Sequence, residues 1–245
     1  KVGQDVSKAI FAGQNNTVKI KNLRIDIGAN NKDQANGKVK KGDRIAFDAQ
    51  FMEIGETMLR GKSFDDRVGC SLLLDVLADG PYPCDVLVAF TVQEEIGMRG
   101  AMVAANRLAP DAALVLEGTT AHDLPDPHAD PDSPLVQNNA CRVNGGPVLT
   151  FMDRSMIPAP QMLDFVRATA EAENIPYQHK TQLGGGTDGG SIHRMGGGAP
   201  TMVISMPCRY IHSPSAMMSR TDYAHTLALV KASLNRIAWE NVRAK

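Results

Sequence analysis

Val86-Leu87-Val88-Ala89-Phe90-Thr91-Val92-Gln93-Glu94-Glu95-Ile96-Gly97 is the stretch on which the reading of this chain turns. The apolar run Val86 to Phe90 reads as a buried strand. Two adjacent carboxylates, Glu94 and Glu95, follow where that strand stops, ahead of Gly97, Gly100 and an Ala-rich helical segment. Open α/β sheets place their chemistry just past the carboxyl ends of strands. Successive residues of an extended chain also point different ways. One Glu can therefore bind a metal while its neighbour addresses a water on that metal.

Outward from this stretch, strands and helices alternate. Met58 to Phe64 reads as a strand ending at Asp65-Asp66-Arg67, and Val68 to Leu77 as a helix closed by Gly80 and Pro81. A helix near Arg99 to Leu108 leads to a strand at Ala112 to Leu116, which ends at Glu117. Val148 to Phe151 reads as a strand and Pro160 to Glu173 as a helix. Thr201 to Met206 is a strand that runs on to His212. The last helix starts at Ser219, with Asp222 as a capping-box-like acid and Tyr223, Leu227, Val230, Leu234 and Ile237 as its apolar stripe. This alternation implies an α/β fold, a mainly parallel sheet with helices on both faces. Residues 121 to 146, rich in Pro, Asp and His, read as a long surface loop.

Upstream the pattern differs. Thr17 to Ile20, Leu23 to Ile27 and Arg44 to Phe51 alternate apolar and polar residues, the mark of half-buried antiparallel strands in a small barrel or sandwich. Lys38 to Lys41 reads as a solvated basic loop. The expected division is a β module at 1–54 and an α/β domain at 55–245.

Composition narrows the function. The 245 residues are 43% apolar, enough for a full core, and the formal net charge of -1 offers nothing to nucleic acid or an anionic membrane. No apolar run approaches the roughly 20 residues of a membrane span. Cys70, Cys84, Cys141 and Cys208 form no C-x-x-C pair and read as buried thiols of a reducing cytoplasm.

Four expected strands thus stop at metal-ligand residue types: Asp65, Glu95, Glu117 and His212. Sheet topology would bring them to one rim. Carboxylates with one imidazole suit zinc, cobalt or manganese.

Phe64-Asp65-Asp66-Arg67-Val68-Gly69-Cys70, Val92 to Ala101, Glu117-Gly118-Thr119-Thr120, Gly185-Gly186-Thr187-Asp188-Gly189 and Tyr210-Ile211-His212-Ser213 together resemble the glutamyl/TET aminopeptidases of the co-catalytic zinc metallopeptidases. The motifs occur in the family's order over essentially the whole chain. The resemblance implies a zinc-peptidase fold of phosphorylase/hydrolase-like type, preceded by a PDZ-like β-barrel module that mediates assembly. It implies a dinuclear centre of two divalent ions, zinc or cobalt. Asp65 would bridge them, with Asp66 after it in a strained linkage that can be cis. Glu95 and His212 would complete one metal and Glu117 would serve the second. Glu94, a non-ligand, would be the general base. Gly186, Thr187 and Asp188 would border the substrate pocket. Short peptides would be the substrates, and homo-oligomers from a dimer to a twelve-subunit tetrahedron the working assembly.

One element of the family pattern is absent. The other metal-ligating histidine belongs to a His-x-Asp motif upstream of the β module, whereas the first histidine here is His122 and the one His-x-Asp, His128-Ala129-Asp130, lies in the long loop far downstream of that module. The expectation is a chain lacking roughly a hundred leading residues of a domain with an inserted module. It would bind one metal well and a second weakly, expose apolar surface and hydrolyse little. The rivals are a non-catalytic peptide-binding or assembly fragment, and another dinuclear hydrolase such as a deacetylase or carboxypeptidase.

Overall fold

The computed structural model describes residues 23–124, 141–181 and 183–242. The chain separates into two compact units that divide between Ala46 and Phe47.

In the smaller unit, helix α1 spans Lys32–Lys38. The side chain of its N-cap, Asn31, accepts from the Gln34 N–H, and Gln34 Oε1 in turn accepts from the Asn30 N–H. The basic run expected as loop therefore begins on a helix end, at Lys38. The strands expected at Leu23 to Ile27 and Arg44 to Phe51 do not form. Ile25, Ile45 and Phe47 stay exposed. Alternation makes a strand only where a partner supplies the ladder, and no β barrel closes among the described residues. The strand expected at Thr17 to Ile20 lies outside the described residues.

The larger unit opens with a hairpin, β1 (Met52–Ile54) and β2 (Met58–Gly61), turned at Gly55, whose φ is +61°. β2 then pairs antiparallel with β7 (Ala216–Ser219). Met58 to Gly61 was expected in the parallel sheet; it lies instead in this separate three-stranded antiparallel sheet. Helix α2 (Phe64–Ala78) follows, its first turn broken by non-helical Asp65 and Asp66.

The second sheet has the order β3-β6-β4-β5, with β3 at Ala113–Thr120, β4 at Val148–Leu149, β5 at Gln178–His179 and β6 at Thr201–Cys208. β3–β6 and β4–β5 are parallel, and β4–β6 is antiparallel. The sheet is mixed rather than mainly parallel. β6 is buried along its whole length. Alternate side chains of a strand face opposite sides, and its residues divide accordingly. Met202, Ile204, Met206 and Cys208 join the main core with Leu72, Met162 and Leu229, while Val203 packs with Val115 and Met156. The main core is roofed by α2, α4 (Pro160–Ala172) and α6 (Arg220–Arg236). On the other side, Ile192 of the short helix α5 (Gly189–Ile192) covers Val115 and Val203. Helix α3 (Arg99–Leu108) packs against α5, and α7 (Trp239–Val242) against α4.

Two expectations fail on long-range contacts. Val86 to Phe90 pairs with no described strand, and its side chains are half-buried or exposed. Leu87 is 58% exposed and Phe90 50%. Asp222 is no capping-box acid. Ser219 does cap α6 by accepting from the Thr221 N–H, but Asp222 is buried and accepts from the Asn144 and Gly146 N–H groups.

Candidate metal centre

The site grows from the break at the start of α2. Ser63 sits in the left-handed region, with φ 53°, and the Asp65–Asp66 peptide is cis. The chain thereby turns Asp65 and Asp66 toward β3 before the helix proper begins. Two bare glycines permit this. A Cβ on Gly118 would meet Asp65 Cβ at 3.1 Å, and one on Gly69 would meet Asp66 Oδ2 at 2.3 Å and the Leu116 carbonyl at 2.5 Å. The Gly69 N–H donates to Asp66 Oδ1 at 3.0 Å.

His212 arrives from the turn after β6, where Tyr210 and His212 itself both have positive φ, 56° and 60°. Such conformations cost on the order of 1 kcal/mol or more and gather at ligand sites. His212 Nε2 lies 2.8 Å from Asp65 Oδ2 and 3.4 Å from Glu95 Oε2. Asp65, Glu95 and His212 line one cleft of about 240 Å³ together with Phe64 and Ile211.

Two sets of ligand atoms each lie within 4.8 Å of one another: Asp65, Glu95 and His212, and Asp65, Asp66 and Glu117. Asp65 belongs to both. Glu117 was expected just past a strand end; it lies inside β3, which continues to Thr120. Glu117 is 4% exposed. Burial, then the Asp66 and Asp65 charges, push its carboxyl well above the usual range. Burial likewise raises Asp66 to about 8, helped by the Asp65 and Asp188 charges and opposed by the Gly69 N–H. Carboxylates gathered out of water in this way repel one another unless a cation or protons compensate.

Glu94 belongs to neither set. It is half-buried, and burial followed by the Asp188, Glu95 and Asp65 charges raises it to about 7. The Gly-rich segment divides in two: Gly184, Gly185 and Gly186 are exposed, whereas Thr187 and Asp188 are buried. Asp188 thus sits close enough to act on both Glu94 and Asp66, and Gly186 faces solvent beside Ser155.

Sequence reading gave no role to Gly69, Gly118, Thr91, Asp123 or Arg209. The sequence marks Asp66 only by its place next to Asp65, and that adjacency is its one usable signal. Arg209 forms a two-pronged pair with Asp123, at 2.7 and 2.8 Å, three residues before His212. It ties the end of β6 to the segment after β3.

A family model described as M42 glutamyl aminopeptidase matches residues 8–229. The chain is similar in structure to the TET aminopeptidase of the marine sediment archaeon Thaumarchaeota archaeon SCGC AB-539-E09. The TM-score is 0.84 at 36% identity, over 93% of this chain and 63% of that one. Aminopeptidase APDkam598 from the archaeon Desulfurococcus kamchatkensis gives 0.83 at 31% identity, over 94% and 63%. The Pyrococcus horikoshii TET1 peptidase, which can assemble into a tetrahedron or a large octahedral shell, gives 0.73 at 26% identity, over 93% and 66%. The chain spans 55% to 62% of the length of five curated relatives it matches.

Proposed function

The chain belongs to the M42 glutamyl aminopeptidase family, and from that premise we propose that the whole protein is a metal-dependent aminopeptidase that removes N-terminal residues from short peptides. The observation that carries this is the pair of ligand sets sharing Asp65, with Glu94 beside them and in neither.

The donor chemistry fits divalent ions. Asp66 and Glu117 are a half-buried and a buried carboxylate held above the usual range, and one imidazole joins the more open set. Asp65, Glu95 and His212 would hold one ion, and Asp65 and Glu117, with Asp66 beside them, would face a second. Oxygen with a single nitrogen suits zinc, cobalt or manganese. The second set lacks the imidazole that the first has among the described residues, so we assign it the weaker affinity for zinc or cobalt. Bound there, such ions supply Lewis acidity to a scissile carbonyl and to the attacking water.

The chain's own residues supply the proton traffic. A general base works best with a pKa near the operating pH, and in the metal-free chain burial and neighbouring charge already lift Glu94 to about 7, the side from which bound cations would lower it. Its carboxylate takes a proton from the water and returns it to the departing amine. Thr187 and Asp188, both buried, and Gly186 at the surface are the residues we assign to the substrate pocket. We read residues 1–54 as the remnant of a PDZ-like β module that mediates homo-oligomer assembly, as the TET relatives' shells suggest. The four free cysteines suit a reducing cytoplasm.

The test treats the chain with chelator, restores Zn²⁺ or Co²⁺, and counts ions per chain. Cleavage of a short peptide is then compared with that of its N-acetylated twin. The reading expects at least one tightly held ion and no cleavage of the acetylated peptide. Glu94→Gln should keep the ion and lower turnover by roughly 10²–10⁴-fold. Preference for the acetylated peptide would move the assignment to a deacylase or carboxypeptidase, and a chain that holds no ion would end it.

A further inference from the structure

The turn that carries Glu94 and Glu95 is closed on itself. The Gly97 and Met98 N–H groups both donate to the Glu94 carbonyl, Arg99 N–H to Gln93 and Gly100 N–H to Val92. Gln93, Gly97 and Met98 all hold positive φ, which fixes the turn's shape. What this hydrogen bonding leaves undetermined is where the turn sits relative to Asp65 and His212. The segment leading into it, 86–90, makes no ladder with any described strand.

One long-range side-chain bond bears on that question. Thr91 Oγ1 donates to Asp188 Oδ2 at 2.5 Å, across 97 positions of sequence. Asp188 is anchored in turn. Its carbonyl accepts the Ser191 and Ile192 N–H groups at the start of α5, and α5 packs on β3 and β6. β3 carries Glu117, and β6 leads to His212. Asp188 is 8% exposed, and its other oxygen, Oδ1, is buried with no hydrogen-bond partner. The Thr91 hydroxyl is thus the carboxylate's side-chain partner among the described residues.

We propose that Thr91 and Asp188 form a strut that sets the Glu94–Glu95 turn against the sheet, so that Glu95 reaches the ion held with Asp65 and His212. Both are positioning residues: neither belongs to a ligand set. The inference rests on the reading of Glu95 as a metal ligand. Partners behind a ligand orient it, and their loss costs roughly 10–100-fold in metal affinity.

The experiment is a Co²⁺ titration of the whole chain, read by the visible absorption of bound Co²⁺, with thermal melting of the metal-free form alongside. Thr91→Val should weaken Co²⁺ binding roughly 10–100-fold, and Thr91→Ser, which keeps the hydroxyl, should restore it. Thr91→Val also strands a buried carboxylate and so lowers stability. The double variant Thr91→Val with Asp188→Leu removes both polar partners, and should regain melting temperature while affinity stays low. Wild-type affinity in Thr91→Val, or affinity that returns with stability in the double variant, overturns the strut. A wild-type chain that takes up no Co²⁺ fails earlier, at the metal reading itself.

Discussion

Asp65 Oδ2 lies 2.8 Å from His212 Nε2, although 147 positions separate the two residues in sequence. Asp65 is held at the broken start of α2 and His212 in a turn with two positive-φ residues beyond β6. Two unusual backbone segments thus converge on one point, and Asp65 alone also reaches Asp66 and Glu117. This sharing makes Asp65 and His212 unequal. Asp65→Asn should lower metal affinity in both sets, and His212→Ala in only one. Both effects should exceed the roughly 10–100-fold expected for residues behind the ligands. Metal content per chain after dialysis against a weak chelator separates the two outcomes. Equal residual metal in both variants would contradict the shared position of Asp65.

The acidic cluster predicts an unusual pH profile for the metal-free chain. Ordinary carboxylates titrate near 4, whereas burial and neighbouring charge hold Asp66 at about 8 and Glu94 at about 7, with Glu117 also raised. In that window the folded chain keeps protons that the unfolded chain has released. Raised folded-state values mean that stability is full below about 4 and is lost as pH rises toward about 8. The loss should amount to a few kcal/mol. Melting temperature in chelator should therefore fall between about pH 5 and about pH 8, and saturating Zn²⁺ should flatten the slope, because a cation replaces the protons. A flat profile in chelator would show that these carboxylates are solvated and ionised already.

The Arg209–Asp123 pair predicts a separate stability effect. Burial alone would push the Asp123 carboxyl up, but its hydrogen bonds from Arg209 and from the Val143 N–H prevail and lower it. A depressed carboxylate contributes stability that is present above the ordinary value near 4 and is lost as pH falls below it. The Asp123 side chain is 8% exposed. The Arg209 side chain is 26% exposed, so removing it costs about 1–3 kcal/mol, the penalty for leaving the buried carboxylate short of a partner. Arg209→Met should show that loss in denaturant unfolding, and Arg209→Met with Asp123→Leu should recover most of it. Additive losses in the double variant would mean that the two side chains act independently.

Much of the helical frame was legible because its signals are local. Arg99–Leu108 and Pro160–Ala172 match the apolar spacing, with Pro160 at the helix start, and Ser219 caps α6 as a serine before a helix should. Strand pairing was not local. Val86 to Phe90 has a buried strand's composition, and Met58 to Phe64 reads as a strand that stops at Asp65. Which ladder a strand joins depends on partners far along the chain, and β2 found β7. Asp222 shows the same limit. In sequence it is an acid three residues after a helix-start serine, yet its carboxylate goes to the Asn144 and Gly146 N–H groups. Within the site, residue types marked Asp65, Glu95, Glu117 and His212. The elements that aim them, Gly69, Gly118 and the Thr91–Asp188 bond, carry no chemistry that a linear pattern can display.

Those silent residues give the most discriminating prediction. Gly69 lies where α2 crosses β3, and a Cβ there would collide with Asp66 Oδ2 at 2.3 Å and with the Leu116 carbonyl at 2.5 Å. The carbonyl belongs to a buried strand and cannot swing aside, so helix and sheet must part. Overpacking of this kind costs about 1–3 kcal/mol. Gly69→Ala should therefore lower stability by that amount and displace Asp66, whose carboxylate also loses its bond from the residue 69 N–H. The second ligand set should suffer more than the first, because Glu95 and His212 do not depend on this crossing. Metal titration of Gly69→Ala should show the weaker class of binding lost and the stronger one retained. Loss of both together would mean that the crossing of α2 and β3 fixes Asp65 as tightly as it fixes Asp66.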